Sequence, residues 1–90
     1  MLINSVEDFR KALETGPYAW PGGYPLYFLC ADGEALSFKA AQENKEEIEY
    51  AIRAQDKSGW HVVAMDINWE DAMLYCAHSN DRIESAYAED

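Results

Sequence analysis

Apolar residues recur at every second position through His61, Val63, Met65, Ile67 and Trp69, with Val62, Ala64, Asp66 and Asn68 interleaved between them. Period two over a β-branched run predicts a strand, and residues 59–71 form the longest such stretch in the chain. The first set is almost wholly apolar and is expected to lie on the core as the central strand. The second begins apolar at Val62 and turns acidic at Asp66, so that end is expected to emerge into solvent. Asp66, Asn68 and Glu70 then recur on one face about 6.7 Å apart, a row of polar and anionic groups with Asp71 beside it.

Helical spacing appears twice. Ser5 followed by Asp8 resembles a capping box, Val6, Phe9 and Leu13 share a face, and Gly16-Pro17 ends the pattern, which predicts a short packing helix with a solvated charged side. Ser37 is placed to cap a second helix running to about Gln55, with Ala41, Ile48, Ala51 and Ile52 on its buried stripe. Its exposed side mixes acids and bases and reads as ordinary solvation and intrahelical pairing.

Between these helices, residues 18–25 hold two prolines around a Gly-Gly pair, which predicts a loop. Its aromatics Tyr18, Trp20 and Tyr24 suit either a recognition surface or a lid over the core. Residues 26–31 read as a strand, Asp32-Gly33 as a hairpin turn and residues 34–36 as the return. Residues 73–76 and 82–87 suggest a final hairpin around the polar segment between them. The order predicts an α+β fold, a small antiparallel or mixed sheet of four or five strands with two helices packed on it.

Composition sharpens this picture. At 90 residues with 49 % hydrophobic content, the chain is expected to be one domain, 1–90. It shows neither a signal-peptide pattern nor a membrane-length apolar run, so a soluble, cytoplasmic protein is expected. Charge is more informative. Seventeen acids against seven bases give −10, and residues 66–90 alone hold seven acids and one base. Such a field disfavours nucleic acid or an anionic membrane as a direct partner and favours a basic protein.

Catalytic and metal signals are sparse. Cys30 and Cys76 sit in apolar segments and read as buried free thiols, with a disulfide between them as the alternative. Cys76 and His78, with Cys30 and His61 as further conceivable ligands, lack the paired spacing of a closed zinc site. No phosphate-binding glycine loop, nucleophile elbow or calcium loop is present. No enzyme, metal or cofactor is expected. The candidate partner-binding set is Asp66, Glu70, Asp71, Asp81, Glu84, Asp32 and Glu34.

The run YAWPGGYPLY at 18–27, the turn DGEAL at 32–36, NWED at 68–71 and the segments LYCAH at 74–78 and IESAY at 83–87 resemble a family of small, mostly uncharacterised proteins of phages and mobile elements. Some relatives carry Cys-x-x-Cys at the positions of Ser37 and Ala40 and again at those of Cys76 and Ser79, which implies a zinc ribbon. Here only Cys76 is cysteine, so the resemblance implies a degenerate ribbon without metal. Small acidic proteins of such elements are also similar, in size and charge, to anti-CRISPR proteins, several of which mimic DNA. Together these likenesses imply a monomeric binding protein in the bacterial host cytoplasm that inhibits a basic, nucleic-acid-binding complex.

Overall fold

The computed structural model of the chain describes residues 1–19, 22–56, 59–71 and 73–86. Helix α1 spans Val6–Thr15 because Ser5 Oγ accepts the Asp8 N–H at 3.1 Å and Asp8 Oδ2 accepts the Asn4 N–H at 3.0 Å. The first satisfies a donor that a helix start leaves unpaired, and the second ties the residue before the cap to the first turn. Gly16, at φ 89°, ends the helix.

Among the described residues four strands follow the expected α+β class: β1 (Tyr18–Ala19), β2 (Tyr24–Cys30), β3 (Ala35–Ser37) and β4 (Val62–Ile67), all antiparallel. The central strand is β2, which pairs with each of the other three. The expectation that residues 59–71 form the centre is therefore corrected. On its other side β4 meets, among the described residues, the start of the chain, through Ile3 N–H to Val63 O and Met65 N–H to Met1 O. Residues 18–25 are not loop throughout, because Tyr18 and Ala19 pair with Pro25 and Tyr24 around the positive-φ glycines Gly22 and Gly23. Trp20, which completes the aromatic set of that segment, lies outside the described residues.

Strict alternation along β4 also fails, for a local reason. Leu29 opposes Ala64 whereas Cys30 opposes Val62, so Val63 is an extra residue on β4. Such a bulge reverses the phase of everything beyond it. Met65 and Val62 are therefore both buried although three residues apart, and His61 and Trp69 do not share the core face. The strand ends at Ile67.

Ser37 Oγ accepts the Ala40 N–H at 3.1 Å and starts α2 (Phe38–Glu43). The single helix expected to Gln55 is broken at Asn44, whose ψ of 32° and side-chain bond to Ala40 O separate α2 from α3 (Lys45–Ala54). The buried stripe of Ala41, Ile48, Ala51 and Ile52 survives the break. Gln55 closes α3 in the left-handed region, at φ 51°.

The core forms around Phe28 of β2, whose ring lies 5.5 Å from Phe9 of α1 and 5.7 Å from Phe38 of α2. Ring pairs of this kind add specific geometry to the burial of large apolar area. The expected last hairpin contracts to one bridge, Tyr75 with Arg82, flanked by Cys76 N–H to Asp81 O and Ile83 N–H to Leu74 O. Tyr87, placed in that hairpin by the pattern, lies outside the described residues. No helix among the described residues is long and apolar enough to cross a membrane.

Candidate functional site

All seven candidate carboxylates, Asp32, Glu34, Asp66, Glu70, Asp71, Asp81 and Glu84, are exposed. They are not one row. Because β4 stops at Ile67, Asn68 turns inward and is only 3 % exposed, which corrects the expected alignment of Asp66, Asn68 and Glu70. Asn68 instead acts as an internal clamp. Its Nδ2 donates to the carbonyls of Asp71, Ile83 and Glu84 at 3.0, 3.3 and 3.0 Å, and its Oδ1 accepts the Asp71 N–H at 3.2 Å. Its backbone joins Pro25 O and the Ala86 N–H.

This clamp draws Asp66, Glu70, Asp71 and Glu84 to one corner of the sheet. Tyr27 lies there too, opposite Asp66 across the β2–β4 register. Its phenol is raised above the ordinary value by burial and then by the charges of Asp66 and Asp71. The Tyr18 hydroxyl donates to Glu84 Oε1 at 2.9 Å, and that hydrogen bond, more than the accompanying charge, holds the Tyr18 proton on. Asp32 and Glu34 lie at the β2–β3 turn, beyond Cys30, where β2 ends about 10 Å along the strand from Tyr27. Asp81 is carried towards that end, since Ala77 N–H donates to Ala35 O and Cys76 N–H to Asp81 O. The seven residues thus divide into a corner set and a turn set.

Charge is sorted by element. The three helices hold seven acids and five bases, a net of −2, whereas the other described residues hold eight acids and one base, Arg82, a net of −7. Both ion pairs among the described residues use Glu49: Arg10 grips it bidentately at 3.0 Å on each arm, and Arg53 stands at 3.8 Å. Glu49 is 7 % exposed, so it is a structural residue and not one of the solvated charges the pattern suggested for this helix. The corner and turn carboxylates lie outside both pairs.

Large apolar side chains are exposed beside the acidic residues: Trp69, which the period-two pattern placed on the core face, and Met73 and Tyr75 of the expected last hairpin. Trp69, Met73 and Tyr75 are 43, 74 and 46 % exposed. Trp69 leans on Tyr24 with ring centroids 4.6 Å apart. A strand-like reading of 73–76 already implied that residues 73 and 75 share one face, and large residues of these types are what interfaces use as anchors.

Cys30 and Cys76 are both buried and free. Burial pushes the Cys30 thiol up to about 12, aided by the charges of Asp32 and Glu34. Burial acts in the same direction on Cys76, but the backbone and hydroxyl donors of Ser37 and Ser79 outweigh it and bring that thiol down to about 7. Among the described residues no three His, Cys, Asp or Glu side chains converge as a metal-binding set. Comparison with known protein families, curated proteins and solved structures finds no match.

Proposed function

We propose that this protein is a non-enzymatic inhibitor of the DNA-mimic, anti-CRISPR type, which presents its acidic corner to a basic, nucleic-acid-binding complex in the cytoplasm of a bacterial host. The observation that carries this reading is the sorting of charge. A net of −7 lies outside the helices, among the described residues, and seven of its eight carboxylates are exposed. Asp66, Glu70, Asp71 and Glu84 supply phosphate-like charges held at a fixed corner by Asn68, while Trp69, Met73 and Tyr75 supply apolar anchor area among them. Fixed carboxylates lose less freedom on binding than a flexible acidic tail, and their field steers a basic partner into contact. The protein acts as a monomer and binds neither nucleic acid nor membrane itself.

The test is capture from bacterial lysate by wild-type protein and by Asp66→Asn/Glu70→Gln/Asp71→Asn, with Glu7→Gln/Glu14→Gln/Glu43→Gln as the helical control. Wild type and control should retain a nucleic-acid-binding complex that DNA or RNA displaces and that salt weakens steeply. The corner variant should lose it while melting no lower than wild type, since close interfacial charge pairs couple at about 1.5–7 kcal/mol. Equal capture by all three proteins, or failure of nucleic acid to compete, removes the reading.

One observation favours a second reading, a degenerate zinc-ribbon-like interaction module. Ser37 and Ser79, two of the positions at which the resemblance places cysteines, both donate to Cys76. On this reading Ser37→Cys/Ala40→Cys/Ser79→Cys takes up one zinc per chain, measured by elemental analysis.

A further inference from the structure

An open groove of about 470 Å³ lies between α3 and the segment that follows it, lined by Glu46, Glu47, Tyr50, Ala51, Asp56 and Trp60. The volume falls within the roughly 300–1,000 Å³ typical of small-ligand clefts. Helical spacing builds one wall. Glu46 precedes Tyr50 by four residues and Glu47 precedes Ala51 by four, so each carboxylate stands one turn from an apolar neighbour on the same face. Trp60 adds a second aromatic ring, positioned 5.0 Å from the ring of His78. Tyr50 is 69 % exposed. Glu46 and Glu47 are explained in part by the favourable end of the helix dipole. That explanation leaves a large ring in water beside a tryptophan, in a groove where every charged lining group among the described residues is a carboxylate.

We propose that this groove binds an arginine side chain of a polypeptide partner. Its planar guanidinium stacks on Tyr50 and Trp60, its methylene stem lies on Ala51, and Glu46 and Glu47 compensate its charge. Arginine fits better than lysine because the guanidinium is flat, stacks on aromatic faces and is more weakly hydrated. The groove belongs to the helical layer and stands independently of the acidic corner, so either site can fail without the other.

The experiment is a nuclear magnetic resonance titration of the whole chain with N-acetyl-arginine N′-methylamide, and separately with its citrulline and lysine counterparts. The arginine compound should shift the Trp60 indole and the amides of Glu46, Glu47, Tyr50 and Ala51. Lysine should bind more weakly, and the neutral citrulline should give no saturable shift. Tyr50→Ala should weaken arginine binding about tenfold, and Glu46→Gln/Glu47→Gln should weaken it while raising salt does the same. All three replaced residues are exposed, so the fold is expected to persist. The Asp66→Asn/Glu70→Gln/Asp71→Asn variant should bind the probe as wild type does. Equal binding of citrulline, no effect of Tyr50→Ala, or shifts spread as strongly over residues 66–84 would each overturn the proposal.

Discussion

Exchanging one atom at Asn68 distinguishes a surface residue from an internal clamp. Its Nδ2 faces three carbonyl oxygens, so Asn68→Asp places a carboxylate oxygen against acceptors and leaves those carbonyls without their donor. The expected cost is about 2–4 kcal/mol, read as a lower urea midpoint at unchanged slope. Period-two reading made Asn68 a solvent-facing member of a row, because nothing in the sequence marks where β4 stops. The thiols give a second test at this scale. Cys76 titrates at about 7 in the folded chain against an ordinary 9.0, so its contribution to stability is complete above pH 9 and is lost as pH falls through 7. Cys30, pushed to about 12, contributes in the opposite sense, and that stability is lost as pH rises from 9 towards 12. Thiolate absorbance of the native protein should therefore step near pH 7, and the step should vanish in Cys76→Ala but persist in Cys30→Ala.

Elements were legible where the chemistry is local. Ser5 and Ser37 cap α1 and α2 as their sequence contexts predicted, and Asp32-Gly33 makes the β2–β3 turn with Gly33 at φ 87° and Asp32 Oδ1 accepting the Glu34 N–H. The break at Asn44 and the bulge at Val63 were not, because both depend on how neighbouring elements meet. The Arg10–Glu49 pair is of the same kind: thirty-nine residues separate its members in sequence, yet it fastens α1 to α3. Glu49→Gln should lower the melting temperature by a few degrees near neutral pH. Its carboxyl is held below the ordinary value, first by the Arg10 hydrogen bond and then by charge working against burial. A depressed carboxyl contributes stability above its unfolded value and loses it as pH falls through the folded one. The difference between wild type and Glu49→Gln should accordingly shrink in acid.

At the scale of the molecule, sorted charge makes salt act in two opposite directions. Outside the helices the described residues carry −7, and those carboxylates repel one another in the folded chain more than in an expanded one. Raising salt from about 0.01 to 0.5 M shortens the screening length severalfold. The free protein should melt higher as a result, while its complex with a basic partner should weaken. Both trends are measurable on one sample by thermal denaturation and titration calorimetry. A partner complex insensitive to salt would point to Trp69, Met73 and Tyr75 as the whole of the contact surface.

The sequence by itself determined the α+β class, the helix starts, the β2–β3 turn and the excess of acid in the last quarter of the chain. Each rests on interactions among residues close in sequence, or on composition, which folding leaves unchanged. Tertiary structure alone decided that β2 rather than β4 is central, that Asn68 is a clamp and Glu49 a buried anchor, and that the seven carboxylates divide between a corner and a turn. Those outcomes follow from register, strand ends and long-range hydrogen bonds. A one-residue bulge is enough to turn a side chain from water to core, and periodicity carries no record of where that bulge falls.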